Sequence, residues 1–409
     1  MKTISIKIKH YTNCLVKTIR SISVLSVAVS AMAEQNDLDK ILRVGNNKFT
    51  AKMFYEVAKA NNEKSVVLSA YSVMPPLAQL ALASVGESHD ELLEAIGMPN
   101  DNVTKAAFSL ANSKLRSTKG VTLQTASRIY IAKNYELNSD FAAVSRDTFG
   151  SEVKNVNFIK NAEVAAEINA WVEDQTNHRI KDLVDPGALT PETKAMLVNA
   201  IYFKGMWKIP FNKYATADKD FHLSRNKVIK VPTMYSKDIY NYTESTELDA
   251  QILEIPYVEG EASCVFVLPR EIDGINELQE KLKDPTVLDK AMSNMQETEV
   301  EVYLPKIKIE TTTNLKDMLQ KMNINRLFDS KKARLDNLLK HTSDLYIDSA
   351  LQKAFIEMNE EGAEAAAANV FGVTYLAAVT APIKFVADHP FVFYLYSGNN
   401  IIFNGVYFA

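Results

Sequence analysis

Apolar residues in the first third of the chain recur at the spacing of helices. Phe49, Met53, Val57 and Ala58 share one face of a helix, because residues three or four positions apart lie on the same side of it. The stretch 74–85 is almost continuously apolar and rich in small residues. Such a stretch predicts a helix that is buried on all sides.

Further along the chain the patterns of strands become frequent. The segment 122–132 begins with alternating apolar and polar residues, and 300–309 alternates across Pro305, which a central strand accommodates poorly. Three segments are apolar enough for buried strands: 264–268, 391–396 and 401–408. Early helices and later strands predict an α+β fold with large, mainly antiparallel sheets. We see no repeat or linker, so we expect one domain.

One long segment near the end of the chain fits neither pattern. Residues 364–368 are strong helix formers, whereas 370–380 are β-branched, aromatic or small, which favours extended chain. A connection of about two dozen residues inside a compact domain is normally functional or disordered.

The first 33 residues have the layout of a secretory signal peptide. Basic residues precede the apolar run 22–29, and small residues at 31–33 offer a cleavage site. The apolar run is too short to cross a bilayer, which takes about 20 residues. We therefore expect residues 1–33 to be removed and a secreted, extracellular domain to span 34–409.

Charge and cysteine content narrow the classes of function. Without the predicted leader the chain has 41 basic and 50 acidic residues, a net charge of −9, which disfavours binding to nucleic acid or to anionic membranes. Cys264 is then the sole cysteine, so a large core must replace disulfides. Asn102 and Asn241 begin N-glycosylation sequons.

The sequence contains no recognisable constellation of catalytic residues. The motifs of serine hydrolases, zinc proteases, phosphate-binding loops and dinucleotide-binding folds are all missing. No histidine lies at metal-ligand spacing from another histidine or from Cys264. We therefore expect no enzymatic activity, no metal and no cofactor.

Several motifs together resemble a known family. Residues 360–368, Glu-Glu-Gly-Ala-Glu-Ala-Ala-Ala-Ala, are followed by Phe-Val-Ala-Asp-His-Pro-Phe at 385–391, and both resemble signatures of the serpins, which are serine protease inhibitors. Further serpin-like motifs occur in family order at 68–73, 198–207, 255–256 and 403–406. Within the family the chain looks most similar to the inhibitory serpins of insect haemolymph.

The resemblance implies a fold and a mechanism. The fold would be helices packed around large β-sheets, with an exposed reactive-centre loop at about 360–383. A target serine protease cuts this loop and becomes covalently acylated, and the loop then inserts into the central sheet as a new strand. We accordingly expect a monomeric chain whose partner is a serine protease.

The hinge of the predicted loop is suited to insertion. In the family, alternate residues after the hinge glycine point inward, which here are Ala363, Ala365 and Ala367; Glu364 would point outward. Gly362 is free to take unusual dihedral angles. The absence of proline or bulky residues argues against a carrier or storage serpin. The predicted hinge comprises Glu360, Glu361, Gly362, Ala363, Glu364, Ala365, Ala366, Ala367 and Ala368.

The reactive bond follows from the family's spacing. Counting fourteen residues from Gly362 gives Leu376–Ala377, whereas counting back from Pro390 gives Val379. The hinge count is preferred, because the inserting segment must match the length of the sheet. Leu376 suits the apolar pocket of a chymotrypsin, elastase or subtilisin type of protease. The alternative positions are Tyr375, Ala377, Ala378 and Val379.

A second group of residues matches the serpin shutter, a buried hydrogen-bonded cluster beneath the central strands. Ser69, Ser72 and Asn199 match the family pattern, and Gln352 replaces the usual histidine. Trp207 matches a buried tryptophan, for which we expect core packing. The predicted function is a secreted suicide-substrate inhibitor of serine proteases. The alternatives are a non-inhibitory serpin and an inhibitor of cysteine proteases.

Overall fold

A computed structural model describes residues 32–117, 120–341, 344–362 and 382–409 of the chain. Within these ranges the first helix, α1, spans 32–60. The remaining helices are α2 (Ala70–Ala83), α3 (Glu87–Ala95), α4 (Asp101–Ser117), α5 (Ser139–Phe149), α6 (Asn161–Gln175), α7 (Ile275–Lys281), α8 (Pro285–Met292) and α9 (Leu315–Lys321).

The strands of the described residues form two sheets. They are β1 (Val66–Leu68), β2 (Val121–Ala132), β3 (Glu152–Val156), β4 (Ala195–Gly205), β5 (Ala217–Ser224), β6 (Lys227–Ser245), β7 (Ala250–Pro256), β8 (Ala262–Pro269), β9 (Gln296–Pro305), β10 (Ile307–Asn314), β11 (Ser349–Met358), β12 (Ile383–Val386), β13 (Phe391–Ser397) and β14 (Asn400–Tyr407).

The larger sheet has nine strands in the order β1-β14-β13-β8-β7-β6-β9-β12, with β5 paired to β6. The smaller sheet has five strands in the order β10-β11-β4-β2-β3. Most neighbouring strands are antiparallel, and the pairs β11/β4, β12/β9 and β2/β3 are parallel. The predicted α+β fold with large, mainly antiparallel sheets is confirmed.

The predicted elements appear where the apolar patterns place them. The face with Phe49, Met53 and Val57 is buried in α1, and α2 is buried along nearly its whole length. The alternating pattern around Pro305 belongs to two strands, because the chain leaves β9 at Pro305 and enters β10 at Ile307. The proline therefore ends a strand, and the strands on either side of it belong to different sheets.

The five-stranded sheet is covered on both faces. Its inner face joins the main core, which also contains α2 and the nine-stranded sheet. Its outer face packs against a second apolar cluster, formed with α6 and the segment 180–189 that follows this helix. Strands covered on both faces explain why β4 is buried at nearly every position. None of the helices in the described ranges combines the length and apolar character needed to cross a bilayer.

Candidate functional site

The centre of the five-stranded sheet is a parallel pair of strands. β11 and β4 are hydrogen-bonded neighbours over most of their length, from Ser349 opposite Met196 to Ile356 opposite Phe203. If these two parallel strands separated, a strand lying between them could run antiparallel to both and pair with each. The chain that leaves β11 is in the right place to supply that strand.

A tight turn follows β11 and reverses the chain. The backbone N–H of Asn359 donates to the carbonyl of Gly362 (2.9 Å), and the N–H of Gly362 donates to the carbonyl of Asn359 (3.1 Å). Gly362 also forms an antiparallel bridge with Met206, the residue after β4. One residue thus pairs with the ends of both β11 and β4. Gly362 occupies the first position of a strand between them.

This position requires glycine. The φ angle of Gly362 is +99°, a region that residues with a side chain rarely adopt. An added Cβ would lie 2.3 Å from the carbonyl oxygen of Gly205 and 2.6 Å from the Cα of Met206. Both atoms belong to backbone, so the clash could not be relieved by a side-chain rotation. The expectation that the hinge glycine takes unusual dihedral angles agrees with this geometry.

Trp207 fixes the start of the turn. Its indole Nε1 donates to the carbonyl of Asn359 (2.8 Å), and its backbone N–H donates to the carbonyl of Glu361 (3.2 Å). The ring stacks on Tyr257 with centroids 4.4 Å apart. Core packing, the role expected from the sequence, is therefore only part of what this residue does. Its hydrogen bonds tie the end of β11 to the end of β4.

Glu360 is a buried carboxylate in the same turn. It is 5% exposed and accepts hydrogen bonds from Lys306 Nζ (2.8 Å) and Thr216 Oγ1 (2.7 Å). Burial raises the pKa of this carboxyl, but the bonds from Lys306 and Thr216 outweigh burial, so the pKa lies below its usual value. Lys306 joins β9 to β10, and the ion pair thereby connects the turn to both sheets.

Replacing Glu360 with glutamine is expected to destabilise the protein at neutral pH by about 1–3 kcal/mol, the usual loss when a hydrogen bond to a charged group is removed. The folded-state pKa of Glu360 is lowered, so its stabilising effect is fully present above pH 4.5, the ordinary value, and is lost as pH falls through the folded-state pKa. Urea unfolding midpoints measured from pH 7 to pH 3 should show the two proteins converging in acid.

The matched control is Glu357→Gln, on the preceding strand, where Glu357 is partly exposed. We expect this change to leave the unfolding midpoint nearly unaltered at every pH. Equal midpoints for Glu360→Gln and Glu357→Gln at pH 7 would contradict a stabilising role of the buried carboxylate.

The four predicted shutter residues meet beneath the β4/β11 pair. Asn199 of β4 lies directly opposite Gln352 of β11, and both are fully buried. Gln352 Nε2 donates to Asn199 Oδ1 (2.8 Å) and to the carbonyl of Ser69 (2.8 Å). Ser72 Oγ donates to Asn199 Oδ1 (2.8 Å). The amide of Gln352 thus fills the place of the family's histidine and keeps the cluster bonded without a titrating group.

The sequence of α2 explains why Asn199 binds there. Ser69 caps the helix, accepting a hydrogen bond from the N–H of Ser72. Pro76 lies inside the helix and has no N–H, so it cannot donate to the carbonyl of Ser72 four residues earlier. That free carbonyl accepts a bond from Asn199 Nδ2 (2.9 Å). A proline that weakens the helix therefore creates the acceptor that ties it to β4.

Replacing Gln352 with leucine is expected to lower the free energy of unfolding by about 1–3 kcal/mol, because buried groups of Ser69 and Asn199 lose a partner. The matched control is Gln296→Leu at the exposed start of β9, where no buried hydrogen bond is lost. Thermal and urea unfolding of both variants would measure the difference. Equal stability of the two variants would show that the cluster contributes nothing.

The outer face of the β4/β11 pair is also closed. Tyr202 of β4 and Phe355 of β11 pack against each other with ring centroids 5.9 Å apart. Lys353 of β11 donates to the carbonyl of Lys181 (2.6 Å) and pairs with Glu310 (2.8 Å). Lys181 belongs to the segment after α6, so this hydrogen bond links the outer cluster to β11. Any strand that enters between β4 and β11 must displace it.

The remaining predicted site residues lie elsewhere. The hinge residues Ala363 to Ala368, and the predicted reactive bond with its alternatives (Tyr375 to Val379), lie outside the described residues, as does most of the predicted leader. The sequon residue Asn102 lies in α4, and Asn241 lies in β6; both are exposed. In the part of the chain that the structure describes, no cluster of three or more histidine, cysteine or acidic residues could hold a metal ion.

Sequence reasoning missed the residues that hold the turn. Three residues contact the hinge from two separate parts of the chain. Lys213, which pairs with Glu361, and Thr216 lie in one turn, and Lys306 lies between β9 and β10. Their types and spacing carry no local signal, because exposed lysines and threonines are common.

Comparisons with known proteins agree with this geometry. The family model described as "Serpin (serine protease inhibitor)" matches residues 44–409. Alaserpin of Manduca sexta is 57% identical, over 93% of this chain and 97% of the relative. Two Bombyx mori proteins are named antichymotrypsin-2 (53% identical; 91% and 99% covered) and antitrypsin (51%; 94% and 98%).

A solved structure of a highly specific serpin from the insect Tenebrio molitor, Serpin48, superimposes with a TM-score of 0.83 at 34% identity, covering 91% of this chain and 98% of that one. The family model, the relatives and the fold all span nearly the whole chain. This chain therefore belongs to the serpin family of serine protease inhibitors.

Proposed function

We propose that the protein is a suicide-substrate inhibitor of serine proteases of the chymotrypsin, elastase or subtilisin type. The protease serine attacks the carbonyl of Leu376, Ala377 leaves as the new amino terminus, and Leu376 remains esterified to the enzyme. The freed segment then enters the sheet between β4 and β11 before water can hydrolyse the ester. The protease is carried along with the segment and is trapped.

The observation that carries this proposal is the double pairing of Gly362. Its bridges to Asn359 and Met206 define one register with each strand. Continued along the chain, both registers agree: position 365 falls opposite Ile356 and opposite Phe203, which are already partners across the β11/β4 pair. A new strand therefore needs the two strands to separate sideways, with no sliding of one past the other.

The side chains of the loop fit this register. Odd-numbered positions from 363 would face the main core, as their neighbours Met358, Ile356 and Ala354 do, and even-numbered positions would face the outer cluster. The inward set is Ala363, Ala365, Ala367, Asn369, Phe371 and Val373. In the inserted strand its single polar member, Asn369, would fall between Gln352 and Asn199. Insertion pulls those two amides apart, and Asn369 supplies hydrogen-bonding groups between them.

The length of the segment supports Leu376 as the reactive position. In the same register, position 373 falls opposite Ala195, the first residue of β4. Cleavage after Leu376 leaves enough chain to fill the sheet from one end to the other, with three residues to spare. An apolar residue at the reactive position favours proteases with an apolar specificity pocket. The two Bombyx mori relatives are similarly identical to this chain, but their names refer to different proteases. Overall similarity therefore does not indicate the target, and we infer that the loop determines it.

The experiment is to mix the purified protein with chymotrypsin, separate the products on a denaturing gel, and determine the mass of the released carboxy-terminal peptide. The proposal predicts a band at the summed mass of the two proteins that survives denaturant, and a peptide that begins at Ala377. Parallel reactions use elastase, subtilisin and a papain-type cysteine protease. Cleavage in the loop without such a band for every protease would indicate a non-inhibitory serpin.

We also propose that the protein is secreted and acts outside the cell as a monomer. The support is the basic and apolar layout of residues 1–33. Expression of the full chain in insect cells should deliver the protein to the medium with Glu34 at its amino terminus, which amino-terminal sequencing would identify. Retention of the uncleaved chain inside the cells would contradict secretion and leave the inhibitory proposal untouched.

A further inference from the structure

A cleft that lies away from the hinge has no role in the proposed inhibition. Its volume is about 970 Å³, at the upper end of the range of roughly 300–1,000 Å³ found for ligand pockets. One wall is the amino-terminal part of α1, and another is the exposed face of β6, β7 and β9. The sequon residue Asn241 lies in this second wall.

We propose that Asn241 carries an N-linked glycan whose first sugars occupy this cleft. The inference rests on the proposed secretion, because the sugar is attached in the secretory pathway. Asn241 is exposed on the solvent face of β6, and its Nδ2, the atom to which the sugar is attached, points to Glu254 of β7 (2.8 Å). Transfer precedes folding, so the pairing of β6 in the finished sheet does not oppose it.

The lining of the cleft suits a sugar. Sugar rings present an apolar face of C–H groups and a rim of hydroxyls. Ile239, two residues before Asn241 on the same face of β6, is 61% exposed, and Pro256 of β7 lies in the same wall. A ring placed over them would cover an apolar side chain that this face otherwise leaves open to water.

Polar groups of both signs surround these apolar residues. Glu254 and Glu297 lie directly opposite Asn241 on its two neighbouring strands, and their carboxylates accept from the acetamide N–H and from hydroxyls. Lys40 and Arg43 of α1 line the facing wall, and neither has an ion-pair partner among the described residues. Their N–H groups donate to sugar oxygens. The cleft thus offers hydrogen-bond donors and acceptors around the apolar residues Ile239 and Pro256.

The second sequon lacks such surroundings and serves as an internal control. Asn102 is exposed in the first turn of α4 and is not part of the lining of this cleft. The Thr104 hydroxyl of that sequon is buried and donates to the carbonyl of Asn100 (2.7 Å). A glycan on Asn102 would project into solvent, so the two sites should differ in how accessible their first sugars are.

The test uses the full chain secreted by a human cell line, behind its own leader and, in parallel, behind an established one. Glycopeptide mass spectrometry measures occupancy at Asn102 and Asn241. Peptide-N-glycosidase F is then applied to the folded protein. We expect Asn241 to be occupied and its glycan to be released at least about ten-fold more slowly than that of Asn102, since seated sugars are exposed only by local opening.

One variant separates the binding of the sugars in the cleft from the attachment of the glycan to Asn241. Ile239→Ser keeps the sequon and should keep occupancy, but should bring the release rate at Asn241 close to that at Asn102. Asn241→Gln verifies the assignment of the glycopeptide. A secreted protein with an unmodified Asn241, or equal release rates at the two sites in the unmutated protein, would overturn the proposal. Both outcomes leave the chymotrypsin experiment unaffected, so the two proposals fail separately.

Discussion

Substituting arginine for Ala363 is expected to turn the protein from an inhibitor into a substrate. If the strand set by the bridges of Gly362 were extended, position 363 would fall opposite Met358 and Gly205, on the face that joins the main core. A guanidinium buried there without a partner would cost several kcal/mol. If about 3 kcal/mol of this cost appears in the barrier to insertion, the step slows about 100-fold, and hydrolysis of the ester overtakes it.

The measurement is the number of inhibitor molecules consumed for each protease molecule trapped, with chymotrypsin as the protease. The matched control is Glu364→Arg, which introduces the same side chain one position along, where it faces outward. We expect the control to form complexes as efficiently as the unmutated protein. If Ala363→Arg also trapped chymotrypsin at unmutated efficiency, insertion between β4 and β11 could not be the trapping step.

Replacing Leu376 with arginine is expected to redirect the inhibitor from chymotrypsin to trypsin. An apolar specificity pocket cannot pair a guanidinium, whereas the trypsin pocket contains an aspartate. The rate of complex formation should fall on the order of 100-fold with chymotrypsin and rise by a similar factor with trypsin, since an unpaired buried charge costs about 3 kcal/mol or more. Association rates with both proteases measure this change.

The alternative position supplies the control for this prediction. Val379→Arg places the same side chain where the count from Pro390 puts the reactive residue. Because the hinge count places the bond at Leu376–Ala377, Val379→Arg should leave the preference between chymotrypsin and trypsin nearly unchanged. A switch of preference in Val379→Arg, with none in Leu376→Arg, would move the reactive bond to Val379.

Local sequence patterns predicted the elements of the fold but not their arrangement. The helical face around Met53 and the apolar runs that became β8, β13 and β14 were found at their actual positions, because burial imposes a period of 3.6 or 2 residues on a sequence. Pro305 correctly predicted that the strand is interrupted at this position. Which strands become neighbours depends on pairings between distant parts of the chain, and nothing local in β4 or β11 indicates that they lie side by side.

The same distinction applies to the site. The family match led to Glu360, Gly362 and Gln352, but the reason each matters came from long-range contacts. Gln352 reaches Ser69 across 283 positions of the chain, and Lys306 reaches Glu360 from the junction of two sheets. The indole hydrogen bond of Trp207 to Asn359 had no signal in the sequence. The sequence identified several of the residues, and only the structure showed which of them contact one another.

In the proposed mechanism, the position of Gly362 would let insertion begin without being completed. Gly362, the first residue of the new strand, is already paired on both sides. Further insertion is opposed by the hydrogen-bonded β4/β11 pair, by the amide cluster beneath it and by the hydrogen bond of Lys353 to the segment after α6. The bonds of Glu360 and Trp207 hold the turn at this point. In this proposal, cleavage would free the far end of the loop, and the strand could then extend residue by residue.

The most direct test is a crystal structure of the protein after cleavage within the loop by a protease that it does not trap. We expect a six-stranded sheet in which residues 363–373 lie antiparallel between β4 and β11. Ala365 should lie opposite Ile356 and Phe203, and Asn369 should lie between Gln352 and Asn199. A cleaved protein in which β4 and β11 remain hydrogen-bonded to each other would show that the loop does not insert between them.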